Sequence, residues 1–114
     1  MVVQRGEVWW AELEEPRRSE PGYRRPLVIV QADAFNRSRI QTLLAVVLTS
    51  NLRLVAAPGN VLVPKRHSGL PKDSVANVSQ VVTIDRDMLT ERVGKLAGSV
   101  LADVENGLRL VLDL

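Results

Sequence analysis

Tyr23-Arg24-Arg25-Pro26-Leu27-Val28-Ile29-Val30-Gln31 sets the reading of this chain. Two arginines meet a proline, and four apolar residues follow unbroken before Gln31-Ala32-Asp33. A short, mostly β-branched run between such breakers predicts a buried strand with Pro26 at its entrance. Pro26 fixes its own φ and keeps Arg25 extended, so the chain enters the strand stiffly. Two guanidinium groups are thereby held where a rigid strand meets a polar loop. Side chains that bind or catalyse are commonly carried at such places.

Outward from this strand the pattern is mainly β. Residues 43–48 form a second unbroken apolar run, also read as a buried strand, and it stops abruptly at Thr49-Ser50-Asn51. Residues 6–13 alternate in period two and read as a first strand. Its neighbours Trp9 and Trp10 point to opposite faces, one into the core. The other is a groove wall or a subunit contact, with a base-stacking role set below the interface reading. Gly59-Asn60 turns the chain into a short strand at 61–63, which Pro64 closes. Residues 74–82 supply one or two more strands and 92–96 a last short one. Asp33 is read as the N-cap of one helical turn, and residues 87–89 as another. Residues 14–24, 52–58 and 65–73 read as loops, the middle one with some extended structure.

The C-terminal segment changes period. Val100, Leu101, Val104, Leu108, Val111 and Leu112 recur at helical spacing behind Ser99, read as its N-cap. An amphipathic helix laid on the sheet follows, and Gly107 inside it implies close packing on that side. The expectation is one mainly β domain over residues 1–114, five to seven short strands with a C-terminal helix, as a mostly antiparallel barrel or sheet.

Composition narrows the chemistry. The chain has 114 residues, 46% hydrophobic and 25% charged, an ordinary globular balance that supports one modest core. Net charge is only +2, with a pI near 9.5, which permits an anionic partner without requiring one. Arg17, Arg18, Arg24, Arg25, Arg37 and Arg39 flank the central strand; gathered on one face they would suit phosphates, and otherwise they are solvated loop charge. The absence of cysteine excludes disulfides, zinc thiolates and a thiol nucleophile. A single histidine, His67, excludes a two-histidine acid–base pair. No apolar run reaches membrane-spanning length and no signal-peptide stretch opens the chain, so a cytosolic location is expected.

Four stretches in series then resemble the MazF/PemK toxins: Arg5-Gly6-Glu7-Val8-Trp9-Trp10-Ala11-Glu12-Leu13, Ser19-Glu20-Pro21-Gly22-Tyr23-Arg24-Arg25-Pro26, Leu48-Thr49-Ser50-Asn51, and Gly69-Leu70-Pro71-Lys72-Asp73-Ser74-Val75 running on through Ser79-Gln80 to Thr83-Ile84-Asp85. That resemblance implies an SH3-like β-barrel of the CcdB/PemK plasmid-maintenance type, forming a homodimer. It implies a sequence-selective endoribonuclease that needs no metal or other cofactor. A cognate antitoxin, its C-terminal segment wound over the RNA groove, is the implied protein partner. The family's catalytic arginine and threonine correspond to Arg25 and Thr49. A CcdB-like toxin that binds gyrase without cutting nucleic acid is the alternative on a related fold.

Cleavage of this kind uses the substrate's own 2′-OH and leaves a 2′,3′-cyclic phosphate with a free 5′-OH. Arg25 suits the phosphorane charge through bidentate hydrogen bonds, and Thr49 adds a hydroxyl donor. Arginine is a poor base, so Glu20 in the same loop is the carboxylate candidate, its alternative role being an ion pair with a loop arginine. Ser19, Arg24, Ser50 and Asn51 are assigned to RNA contact. Some family members carry an arginine and an acid where this chain has the neutral Asn77-Val78-Ser79. Here Asn77, Ser79 and Gln80 are read as hydrogen-bonding base edges, or else as an exposed polar strand face. His67 is the one histidine available as a general acid, but the resemblance does not require it.

Overall fold

The computed structural model describes residues 2–13 and 23–114. Six strands, β1 (Glu7–Leu13), β2 (Tyr23–Ile29), β3 (Thr42–Thr49), β4 (Val61–Val63), β5 (Ser74–Asp85) and β6 (Leu89–Lys95), form one sheet in the order β4-β5-β3-β2-β1-β6. Every neighbouring pair is antiparallel. The sheet curls into a half-barrel, and the C-terminal helix lies against it, so the mainly β expectation holds. Three helices, α1 (Asp33–Asn36), α2 (Lys65–Ser68) and α3 (Gly98–Leu112), complete the fold.

Strand alternation divides the core into two layers. Val8, Val28, Val46 and Leu48 face one side and meet Val100 and Val104 of α3. Trp9, Ala11, Leu27, Ile29, Leu43 and Ala45 face the other and meet Val3, Ile84 and Leu89. Each fully buried aliphatic side chain among them contributes roughly 1.5–3 kcal/mol of transfer free energy. β2 and β3 feed both layers, which is why their sequences read as unbroken apolar runs rather than as alternation.

α3 packs as close as the sequence implied. A Cβ on Gly107 would collide with the carbonyl oxygen of Gly59, and Gly59 itself turns at φ +84°, where glycine carries no steric cost. At the opposite edge of the sheet, buried Glu7 ties the chain entry to β6. Its carboxylate takes a 2.6 Å bond from Arg92 Nε, one of 2.7 Å from the Gln4 N–H and one of 3.2 Å from the Trp9 indole. Burial opposes its charge, but the bonds from Gln4, Arg92 and Trp9 outweigh that and lower its pKa.

Several local expectations are corrected. β2 begins at Tyr23, so Pro26 lies inside the strand rather than at its entrance. Leu13, Glu12 and Ala11 pair with Tyr23, Arg24 and Arg25, and β1 thereby extends β2 beyond its apolar run. Residues 52–56 form a 3-10 helix rather than extended structure, because the Asn51 side chain accepts from the Arg53 N–H and starts the turn. Residues 65–68 are helical within the expected loop, ended by Gly69 at φ +82°. Asp33 is the first residue of α1 rather than its cap; its carboxylate accepts from the Arg5 N–H at 2.7 Å and from Asn36 at 3.1 Å. Those two bonds lower its pKa. Ser99 lies one residue inside α3, which Ala97 precedes without a side-chain cap.

Candidate active site

The site grows from the place where β2 and β3 part. Their ladder runs from Ile29↔Ala45 to Leu27↔Val47 and stops there. Pro26, which has no N–H to donate, is the next residue. Two positions beyond the last pair lie Arg25 and Thr49, and period-two alternation turns both side chains to the face of Leu27 and Val47. The strands open, and side chains rather than backbone line the gap.

This gap is the head of a cleft of about 750 Å³. Arg24, Arg25 and Pro26 line it from β2, Val47, Leu48 and Thr49 from β3, and Ser50 and Asn51 from the turn after β3. Leu70, Pro71, Lys72 and Ser74 approach from the loop before β5, with Trp10 and Gln80 completing the wall. The lining holds three cations, Arg24, Arg25 and Lys72, and no carboxylate among the described residues.

These cations differ. Arg24 is held: its guanidinium lies 4.2 Å from the Trp10 ring centroid and donates at 3.3 Å to Glu91. Arg25 is exposed, and among the described residues neither it nor Lys72 has a side-chain hydrogen bond or ion pair. An unpaired guanidinium at the mouth of a cationic cleft keeps its whole donor fork for a ligand. Thr49 is half-buried, and its hydroxyl oxygen accepts from the Asn51 N–H at 3.2 Å, which leaves its O–H to donate into the cleft.

The site residues expected from sequence fare unevenly. Arg24, Arg25, Thr49, Ser50, Asn51 and Gln80 come together. Ser19 and Glu20 lie outside the described residues. Asn77 and Ser79 serve a bulge in β5, where the partner of Val46 is Val81 but that of Val47 is Asn77. Asn77 Oδ1 accepts from Asn60 and from Ser79, each at 3.1 Å, and Asn77 Nδ2 donates to Gln80 at 2.8 Å. That knot leans Gln80 toward the cleft. His67 sits in α2, away from the lining.

Trp10 is the half-exposed tryptophan, and it walls the cleft, one of the two roles read for it from sequence. The lining cation not assigned from sequence is Lys72. Lys72 lies in the stretch between Gly69 and Asp73 that carried the resemblance; the breakers Gly69 and Pro71 mark a tight loop able to turn a lysine inward. Among the described residues, no three His, Cys, Asp or Glu side chains gather to hold a metal ion. No described helix is long and apolar enough to cross a membrane.

Known proteins resemble the whole of this architecture. In fold, MazF from Deinococcus radiodurans superposes with a TM-score of 0.82, covering all of this chain and 99% of that one at 23% identity. A mycobacterial endoribonuclease in complex with its cognate antitoxin superposes at 0.75, also at 23% identity, over 99% of this chain and 95% of its own. In sequence, the endoribonuclease MazF6 of Mycobacterium tuberculosis is 47% identical over 114 residues, the full length of both chains. EndoA, an endoribonuclease of Bacillus subtilis, is 31% identical over all of this chain and 97% of its own. The profile of PemK-like, MazF-like toxins of type II toxin–antitoxin systems matches residues 4–112. On that match and those identities, the chain belongs to the MazF/PemK family of toxins.

Proposed function

We propose that this protein is a toxin endoribonuclease that cuts single-stranded RNA at a short sequence motif, without a metal ion, and so inhibits translation and growth. The observation that carries the reading is that Arg25 and Thr49, each two residues beyond the last β2–β3 pair, line one cleft with cations and no carboxylate among the described residues. A phosphate seated there would take two bonds from the Arg25 guanidinium and one from the Thr49 hydroxyl. Attack by the neighbouring 2′-OH builds charge on the phosphorane oxygens, which those donors would then bind more strongly. The bond from the 2′ oxygen to phosphorus forms as that to the 5′ oxygen breaks, and the 5′ oxygen takes a proton from water, leaving a 2′,3′-cyclic phosphate and a 5′-OH. DNA, which lacks the nucleophile, is spared. Glu20 is the proposed acceptor of the 2′-OH proton, with Ser19, Arg24, Ser50, Asn51 and Gln80 contacting the RNA.

The endoribonuclease relatives support this activity, and the antitoxin complex among the structural relatives supports a cognate antitoxin for this chain, its C-terminal segment covering the cleft. A homodimer accords with the apolar residues left exposed at the end of α3: Leu110, Leu112 and Leu114 are 63%, 54% and 85% accessible. Digestion of a long single-stranded RNA in EDTA, with the new ends sequenced and their chemistry determined, tests the reading. Discrete cuts at one motif, ending in cyclic phosphate and 5′-OH, are expected. Intact RNA after incubation with the folded, antitoxin-free protein would overturn it in favour of a gyrase-binding toxin.

A further inference from the structure

We infer that the indole face of Trp10 is a stacking platform for one nucleobase of the bound RNA, on the site that the Arg24 guanidinium now covers. The two adjacent tryptophans have opposite commitments. Trp9 is buried and spends its indole N–H on Glu7. Trp10 walls the cleft, its N–H has no protein partner among the described residues, and its ring carries a guanidinium 4.2 Å from its centroid. A guanidinium is flat and delocalised, so it occupies the footprint a base would take.

The cover is weakly held. The Arg24–Glu91 contact is 3.3 Å long between side chains 47% and 65% exposed, a class of pair that adds little. An exposed cation–π contact adds only modestly more, whereas stacking a base on an aromatic ring is worth at least as much as both together. An arriving base therefore displaces Arg24, and the freed guanidinium exchanges Glu91 for a backbone phosphate. The register sets where this occurs. Trp10 pairs with Pro26, so alternation turns its ring to the face opposite that of Arg25, and the two side chains meet as walls of one cleft. The stacked base belongs to the RNA held in that cleft.

This inference rests on the nuclease reading, and its test separates the two. The probe is an oligoribonucleotide carrying the motif that the wild-type protein cuts, blocked by 2′-O-methylation at the cut and made abasic at one position at a time. Binding is read by anisotropy for wild type, Trp10→Phe and Trp10→Ala, each first shown to be folded by its melting transition. One abasic position should cost wild type about tenfold in affinity. The same substitution should cost Trp10→Phe a similar factor and Trp10→Ala nothing further. Binding should also quench tryptophan emission in wild type and much less in Trp10→Phe, which binds equally. If each abasic position costs Trp10→Ala or, should that variant not fold, Trp10→Leu as much as it costs wild type, no base rests on Trp10 while the nuclease reading stands. A wild-type protein that cuts no RNA overturns both.

Discussion

β2 is two different structures joined at Pro26. From Leu27 to Ile29 it is paired on both sides, and its side chains are wholly buried in both core layers. From Tyr23 to Arg25 it pairs with β1 alone, and its side chains are exposed. Charge follows the same division. Toward the closed side of the fold, Glu7 has Arg92, Arg5 has Glu105 at 2.6 Å, and Asp33 has the Arg5 N–H. Around the open end, Arg25 and Lys72 have no such partner among the described residues, and Arg24 has a weak one. The cations of the cleft thus differ from those of the closed side in having weak partners or none among the described residues, as the proposed function requires.

Substitutions should sharpen that division. The largest stability loss expected away from the cleft is at the α3 contact. Gly107→Ala drives a methyl into the Gly59 carbonyl, which backbone on both sides cannot readily yield, and should cost about 1–3 kcal/mol or more in urea unfolding. Gly98→Ala is the control, because nothing lies within 4 Å of its Cβ, and it should leave stability unchanged or raise it by up to ~1 kcal/mol. Cleavage below the melting temperature should survive both.

Glu7→Gln comes next. It strips the charge from a buried acceptor of three hydrogen bonds and should lower stability by about 1–3 kcal/mol. The same residue with Asp33 sets an acid limit. Both carboxyls have folded pKa values below their ordinary ones, so the unfolded chain binds more protons in the window between. Their stabilising contribution is complete above the unfolded values, near pH 4 to 4.5, and is lost as pH falls through the folded ones. The urea midpoint should fall with acid in wild type and fall less in Glu7→Gln combined with Asp33→Asn. An unchanged acid slope would show that these bonds do not carry the linkage.

At the open end the smallest effect is expected from Lys72→Ala. It should weaken RNA binding several-fold with kcat retained, and reduce the salt dependence of binding by about 0.7 in log–log slope, as for one phosphate contact on a single strand. A full loss of turnover in this variant would place Lys72 in the chemistry instead.

The sequence showed this division only in part. Unbroken runs at 27–30 and 43–48 announced central strands because, Leu44 apart, both faces of those strands are largely buried, and the 100–112 period announced α3. Gly107 even announced its close contact. Arg25 drew notice where an apolar run meets polar residues, whereas Thr49 was singled out by the resemblance to the MazF/PemK toxins, and the structure puts both in one cleft. What stayed hidden is what depends on register. Pro26 looked like an entrance, since nothing local reveals that β1 continues pairing past it. Ser79 is exposed as that reading had it, but Asn77 is half-buried and bonded to Asn60, seventeen positions away, at the three-residue slip in β5. Lys72 reaches the cleft through a loop closure that its neighbours in sequence do not encode.

The most direct test of uncommitted charge as the seat of catalysis is Arg25→Ala at saturating RNA, with its melting temperature measured alongside. Turnover should fall by roughly 10²- to 10³-fold, the usual cost of one preorganised donor to a charged transition state. Melting should stay within about 2 °C, because no described contact is lost. Cleavage at the wild-type rate, or a loss matched by unfolding, would contradict the assignment.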